Sequence, residues 1–274
     1  MVEFLSRSFG KLLIGKPFMT KQAILSHRDA INACNQRGGR MLSLIDLLEA
    51  ESVDLPLAAY LAAMMQQGIS LLVGANPGGA GKTTVMCALL NFVPLDTTLQ
   101  AAENMNTLRQ AEKQPKDHRT CYVAHEISPA TYYYAYLWGR AAQRFFALNT
   151  YGHIIASNLH ADTLKETRDQ LVNQNGVVPK HLDAVTLKVY LGTQRQSAWS
   201  RRRWVRRVYE NDGKNDHLIW RADSPGHFVR QRKSQLVSEA DESHYAELLK
   251  RMQDENVFRI SDVRRVLLKD ASQD

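Results

Sequence analysis

A glycine-rich segment between two regular patterns constrains this chain more than any other feature. It reads Gly74-Ala-Asn-Pro-Gly-Gly-Ala-Gly-Lys-Thr-Thr84. The apolar run at residues 69–73 suits a buried parallel strand, and residues 83–92 predict a helix after the segment. A glycine-rich turn at a strand-to-helix junction, closed by Gly-Lys-Thr, is the context that a phosphate-binding loop (P-loop) requires. The sequence therefore predicts an α/β unit built around this junction.

The residue types of this loop have chemical reasons. Glycines let backbone N–H groups turn inward around an anion, and the following helix presents its positive N-terminus. Lys82 is expected to reach the terminal phosphates of a nucleoside triphosphate, and the Thr83 hydroxyl to ligate Mg²⁺. Asn76 stands where the pattern usually has its first glycine, and asparagine tolerates left-handed backbone geometry. The residues predicted to bind the nucleotide are Asn76, Gly78, Gly79, Ala80, Gly81, Lys82, Thr83 and Thr84.

Further apolar runs predict an α/β fold with a mostly parallel sheet. Strands are expected at residues 98–102, 121–124, 154–159, 183–191, 204–209 and 218–220. Asp54 is expected to cap a helix that ends at Gly68, and the C-terminal tail has the apolar spacing of two helices. We divide the chain into a short N-terminal extension (1–50), a P-loop core (51–195) and C-terminal strands with a helical tail (196–274).

Composition excludes several classes of protein. The longest apolar stretch, at residues 55–65, is well short of the roughly 18 residues that a membrane span needs. The N-terminus lacks the layout of a signal peptide, so we expect a cytoplasmic protein. Cys34, Cys87 and Cys121 are too few and too scattered for a disulfide framework or a metal site, and are expected to be buried thiols.

The positive charge is concentrated in one segment. The formal net charge is +7, and residues 195–233 carry eleven Lys or Arg against four Asp or Glu. Such a segment is typical of a surface that meets nucleic acid, anionic lipid or an acidic partner. A solvated strand face or a contact between subunits explains it equally well, and no nucleic-acid-binding motif accompanies the charge.

A second motif narrows the choice among the families that have a phosphate-binding loop. Gly152-His153 is followed by Ser157-Asn-Leu-His-Ala-Asp-Thr163 at the end of a predicted strand. With the phosphate-binding loop, Leu57-Ala-Ala-Tyr-Leu61 and Phe92-Val-Pro94, this segment resembles the ATPases of type II and type IV secretion, type IV pili and archaeal motility filaments. The resemblance runs from about Leu44 to the C-terminus, and the segment around His160 is similar to the histidine box of that family. Because ligands of open α/β folds collect at the carboxyl edge of the sheet, His160 is expected to sense or contact the γ-phosphate. A histidine that merely caps the strand is the alternative.

The resemblance implies a function and partners. It implies a RecA-like P-loop core that uses ATP and Mg²⁺, a homo-oligomer of six subunits, and a membrane platform protein as the recipient of the movement. The protein would then be cytoplasmic or peripheral at the inner face of the membrane. The preference for ATP over GTP comes from the resemblance alone, and nucleic acid stays a second candidate partner for the basic segment.

Two glutamates, Glu103 and Glu126, are candidates for acting on the attacking water. Residues 97–104 resemble the aspartate box of the family, with Glu103 retained and Asn104 in place of the aspartate. Glu103 would orient water or a hydrated Mg²⁺, and an exposed glutamate at a strand end is the equal alternative.

The Walker B acid can be placed in two ways. Counting back from Gly152 without gaps puts the family motif on residues 135–138, which contain no acid and imply a defective site. The other placement uses residues 121–126, a strand ending in Glu126, with Ser128-Pro129 as the start of a helix that carries residues 133–148. We prefer Glu126, which would polarise the attacking water.

One departure from the family pattern leaves other functions open. Family members usually carry a separate N-terminal domain that can donate arginines, whereas about fifty residues precede the core here. Arg109 and Arg119 are candidate substitutes, and solvated loop arginines are the alternative. The rivals to a motor ATPase are a catalytically weak nucleotide-binding regulatory subunit, suggested by Asn76 and Asn104, and a nucleic-acid-handling P-loop motor.

Overall fold

A sheet with helices on both faces forms the centre of the protein. The computed structural model describes residues 21–35, 38–76, 78–114, 119–197 and 200–272. The strands are β1 (Leu71–Gly74), β2 (Thr98–Ala101), β3 (Thr120–Ile127), β4 (Tyr136–Leu137), β5 (Ile154–Leu159), β6 (Leu187–Arg195), β7 (Arg201–Asn211), β8 (Asp216–Arg221) and β9 (Val229–Arg230).

The helices follow the same chain order. They are α1 (Lys21–Ala33), α2 (Leu44–Glu49), α3 (Leu55–Gln66), α4 (Lys82–Leu90), α5 (Met105–Ala111), α6 (Arg140–Ala147), α7 (Leu164–Arg168), α8 (Pro179–Asp183), α9 (Glu239–Asp254) and α10 (Ile260–Asp270). A 3₁₀ turn (Leu148–Tyr151) follows α6, and a π-helical turn (Asp169–Gln174) follows α7. Among the described helices, none combines the length and apolar character that a membrane crossing needs.

The strands pair in the order β2-β3-β5-β1-β6-β7-β8-β9, and β4 pairs with β3. The pairs from β2 to β6 are parallel, and those from β6 to β9 are antiparallel. The predicted α/β fold, with a mostly parallel sheet and a C-terminal β and helical extension, is therefore confirmed. The sheet order places the carboxyl ends of β3, β5 and β1 side by side.

Alternating side chains of the central strand β1 enter two cores. Leu71 and Val73 lie in one buried cluster with residues of α3, α4 and α9, and Leu72 lies in another with residues of α6. This alternation is the period of two that a strand imposes. The sheet is therefore covered on both faces, which is how parallel sheets are normally stabilised.

Polar side chains cap the N-termini of several helices, α3 and α5 among them. Asp54 accepts a hydrogen bond from the backbone N–H of Leu57 at 3.0 Å, as predicted for the start of α3. Asn104 accepts hydrogen bonds from the N–H groups of Asn106 and Thr107 at 2.9 and 3.2 Å and caps α5. Asparagine is among the strongest N-cap residues. Asn104 therefore provides a cap that an aspartate at this position would also provide.

The helix predicted from Ser128-Pro129 is wrong. Residues 128–135 form bends and turns that lead into β4, and the next helix, α6, begins at Arg140. The N–H of His125 donates to the carbonyl of Ala135 at 2.8 Å, and the N–H of Ser128 to that of Leu137 at 3.0 Å. The segment folds back onto β3 because pairing along that strand satisfies backbone groups that a helix would otherwise have satisfied.

The proposed division of the chain stays a prediction. Residues 1–20 of the N-terminal extension lie outside the described residues. The rest of that extension contains α1 and α2, and α1 packs against α10 from the C-terminal tail. At the other boundary, β6 ends at Arg195 and β7 pairs with it antiparallel.

Candidate functional site

The glycine-rich loop connects β1 to α4 at the carboxyl edge of the sheet. Gly81 has φ +93°, a left-handed conformation that favours glycine. Gly74 is required for a different reason: a Cβ atom there would lie 2.5 Å from the carbonyl oxygen of Ala161 and 2.8 Å from the ring of Tyr190. The entry to the loop is therefore packed directly against the segment that follows β5.

Three charged or titratable side chains from different elements meet beside this loop. Lys82 Nζ lies 2.8 Å from Glu126 Oε1 and 3.5 Å from His160 Nδ1. His160 Nε2 lies 3.1 Å from the same Glu126 oxygen. Lys82 and Glu126 are 8% and 13% exposed, and His160 is 42% exposed. A neutral imidazole with its proton on Nε2 satisfies both contacts of His160.

The pKa of Glu126 results from opposing effects. Burial raises it, and the hydrogen bonds from His160 and Lys82, together with the charge of Lys82, outweigh burial, so that the pKa falls from 4.5 to about 2. Glu126 is therefore a carboxylate at neutral pH.

This shift predicts a pH dependence of stability. A carboxyl group whose pKa is lower in the folded than in the unfolded chain stabilises the fold above its unfolded pKa, and the contribution is lost as the pH falls. We expect Glu126 to contribute about 3 kcal/mol from this source at pH 7, decreasing below about pH 5. Urea unfolding of the wild type and of Glu126→Gln between pH 7 and pH 3 measures it. A stability difference that does not change with pH would contradict the ion pair.

Thr83 is held from the neighbouring strand. Asn158 of β5 is 1% exposed, and its Nδ2 donates to the carbonyl of His125 at 2.8 Å and to Thr83 Oγ1 at 3.3 Å. The contact to His125 orients the amide, and the contact to Thr83 fixes the hydroxyl within the cavity that Glu126 also lines. Asn158 lies in a segment that the sequence singled out, but only its histidine was a candidate.

The first residue of the loop motif is anchored by a carboxylate. The N–H of Asn76 donates to Asp162 Oδ1 at 2.7 Å. Arg206 Nη2 donates to the carbonyl oxygen of Asp162 at 2.8 Å, and Glu166 accepts from the N–H of Asp162 at 2.6 Å. Asp162 therefore links the loop, the segment after β5 and strand β7.

The arginine-rich strand β7 also reaches the loop. Arg203 Nε donates to the carbonyl of Gly79 at 2.8 Å, and Arg202 forms an ion pair with Glu51. The sequence predicted that this strand meets nucleic acid, anionic lipid, an acidic partner, solvent or a neighbouring subunit. It did not predict the contact with the loop. The spacing of the arginines carries no sign of this contact, because it depends on the pairing of β7 with β6.

Glu103 does not lie in the cluster of Lys82, Glu126 and His160. It is exposed after β2, three strands from β1, and accepts a hydrogen bond from the Tyr134 hydroxyl at 2.6 Å. Burial, followed by this carboxylate, raises the pKa of Tyr134 to about 12. The role predicted for Glu103, orienting water, is therefore not supported by any contact with that cluster.

The two arginines considered as substitutes lie elsewhere. Arg119 directly precedes β3, at the opposite end of the strand from Glu126, and pairs with Asp96 at 3.5 Å. Arg109 is exposed in the last turn of α5.

Two cavities meet at the loop. One, of about 410 Å³, is lined by residues 78–84 together with Glu126, His160 and Tyr136. The other, of about 570 Å³, shares residues 79–81 with the first and is bounded by α2 and β7. Lys82 and the N-terminus of α4 face the first cavity, and a cation beside a helix N-terminus suits a bound anion.

Comparison with solved structures returns similar chains at low sequence identity. The chain is similar to the VirB11 ATPase from the Brucella suis type IV secretion system, in complex with sulphate, with 20% identity and a TM-score of 0.41 over 61% of this chain and 54% of that one. It is similar to the ATPase DotB of Legionella pneumophila (10% identity, TM-score 0.37, 85% of this chain and 59% of that one). DotB of Yersinia pseudotuberculosis gives 13% identity and a TM-score of 0.38 over 76% of this chain and 55% of that one.

The matches are partial. The chain spans between 54% and 59% of the length of these three structures. No protein-family model and no curated protein matches it.

Proposed function

We propose that this chain binds ATP with Mg²⁺ and hydrolyses it, as a motor ATPase of the secretion and pilus type. The observation that supports this most is the meeting of Lys82, Glu126 and His160 beside a glycine-rich loop. A cation that binds phosphate, a carboxylate that activates water and a hydrogen-bonding imidazole are the groups that phosphoryl transfer to water needs.

The contact between Lys82 and Glu126 implies the order in which the two groups act. A phosphate that enters the loop competes with Glu126 for the Lys82 ammonium group. Once Lys82 has moved to the phosphate, Glu126 loses one of the partners that lower its pKa, and becomes a better base. Glu126 then accepts a hydrogen bond from the attacking water, and His160 keeps the carboxylate oriented.

The donor set fits Mg²⁺. Thr83 Oγ1 and the Glu126 carboxylate line the same cavity, and oxygen donors with several waters are what Mg²⁺ prefers. Thr83 would hold the ion directly, and Asn158 would orient the Thr83 hydroxyl. When bound, the ion neutralises charge on the phosphates.

A regulatory subunit is the second candidate function. Glu103 is engaged by Tyr134, and Asn104 caps α5. Among the described residues that line the cavity at Lys82, Glu126 is the only acid. Slow hydrolysis with intact binding would follow if Glu126 alone did not suffice.

The basic segment offers less support for a nucleic-acid motor. Arg202, Arg203 and Arg206 each contact a group of the same chain: Glu51, Gly79 and Asp162. Assembly into a homo-oligomer of six subunits, a membrane platform protein as partner and a cytoplasmic location at the inner face of the membrane remain part of the proposal, by resemblance.

Purified protein tests the proposal. We expect release of phosphate from ATP that stops when Mg²⁺ is removed with EDTA and returns when Mg²⁺ is restored. The mass of the particle, measured with and without ATP, should correspond to an oligomer. Binding of ATP without turnover would favour the regulatory subunit, and turnover that rises steeply with added DNA or RNA at low salt would favour the nucleic-acid motor.

A further inference from the structure

Arg203 is the second cation that contacts the glycine-rich loop. Its Nε donates to the carbonyl oxygen of Gly79 at 2.8 Å, and its Cδ would lie 3.4 Å from a Cβ atom on Gly81. The backbone of Arg203 is held by strand pairing with Thr193 and by Ser52, whose hydroxyl donates to the Arg203 carbonyl at 2.9 Å. The guanidinium group is therefore supported by a strand and placed against the loop.

Its charge is not neutralised by a neighbouring carboxylate. Arg40 and Arg202, which also line the two cavities, form ion pairs with Asp46 and Glu51. Within the described part of the chain, Arg203 forms no ion pair, and its guanidinium group donates to the backbone carbonyls of Gly79 and Arg201. A guanidinium group held by backbone carbonyls alone keeps donors for an anion.

The shape of the site places this cation along the path of an elongated ligand. Residues 79–81 and Thr84 line both cavities, and Arg203 lines the second. That cavity also has aliphatic walls, formed by Leu42, Leu47, Val85 and Leu191. A ligand with its terminal phosphate at Lys82 and an aromatic base against these walls would pass the guanidinium group of Arg203.

We propose that Arg203 binds the α- and β-phosphates of a nucleotide whose base and sugar occupy the cavity bounded by α2 and β7. This inference rests on the proposed nucleotide binding and adds a residue and a subsite to it. The fork of a guanidinium group suits bidentate contact with phosphate oxygens. Retaining the Nε contact to Gly79 would fix the fork in place.

Binding of ADP and of ATP to the full chain, measured by calorimetry, tests the proposal. We expect Arg203→Ala to weaken both by about 10- to 100-fold, since both ligands carry the two phosphates. Arg203→Lys should recover much of the affinity, and Arg203→Gln, which removes the charge but keeps a donor for the Gly79 carbonyl, should not. The control is Arg221→Ala, an exposed arginine on β8 that is paired with Asp223, which should bind as the wild type does.

Each outcome separates this inference from the proposed function. Wild-type affinity in Arg203→Ala, or a loss confined to ATP, would overturn the role of Arg203 while leaving nucleotide binding intact. Full affinity in Arg203→Gln would mean that Arg203 only supports the loop. If the wild type bound neither nucleotide, or if Lys82→Ala bound both as tightly as the wild type, the proposed function would be wrong. This inference, which depends on it, would then be wrong as well.

Discussion

Replacement of Glu126 by glutamine is expected to lower ATP turnover by about 10²- to 10⁴-fold, the range for loss of a positioned general base. Glutamine keeps the shape of the side chain but cannot accept a proton. Because the substitution also frees Lys82 from its carboxylate partner, ATP affinity should stay the same or rise. Phosphate release under saturating ATP and a separate binding measurement distinguish the two effects.

Glu103→Gln is the matched control. It makes the same chemical change at the end of a strand in the same sheet, on a residue whose carboxylate bonds to Tyr134 rather than to Lys82. We expect at most a few-fold loss of turnover. If Glu126→Gln turned over ATP at the wild-type rate, the assignment of the water-activating carboxylate to Glu126 would be wrong.

The second large effect is on binding. Lys82→Ala is expected to weaken ATP binding by about 100-fold, since a charge-assisted hydrogen bond to phosphate is worth about 3 kcal/mol. The change also leaves Glu126, which is 13% exposed, without its lysine partner, and removal of one member of a buried pair destabilises a fold. Calorimetric titration with ATP, alongside a thermal melt, measures both consequences.

Two further variants keep that result interpretable. The double variant Lys82→Met with Glu126→Gln removes both charges, so that no unpaired carboxylate remains, and should fold but still bind weakly. Lys113→Ala removes an exposed lysine just after α5 and should bind ATP as the wild type does. Wild-type affinity in the double variant would show that Lys82 does not contact the nucleotide.

Local patterns predicted the parallel half of the sheet and several helix starts. The strand before the glycine-rich loop, the strands ending near Glu126 and His160, and the cap at Asp54 all depend on residues close together in the chain. The prediction of a helix after Ser128-Pro129 was wrong because it, too, used only residues close together in the chain. A cap and a proline are local signals, whereas the return of this segment to β3 depends on backbone pairing that local signals do not encode.

The glycine-rich loop is the part of the candidate site that the sequence determined by itself, because the glycines, Lys82 and the strand-to-helix junction lie within one short segment. Only the tertiary structure decided which side chains surround the loop. The sheet order β3-β5-β1-β6-β7 carries Glu126 and His160 to Lys82, leaves Glu103 apart and brings Arg203 to Gly79. Neighbouring strands in a parallel sheet are distant in sequence, so the contacts at their ends follow from strand order and register rather than from any single motif.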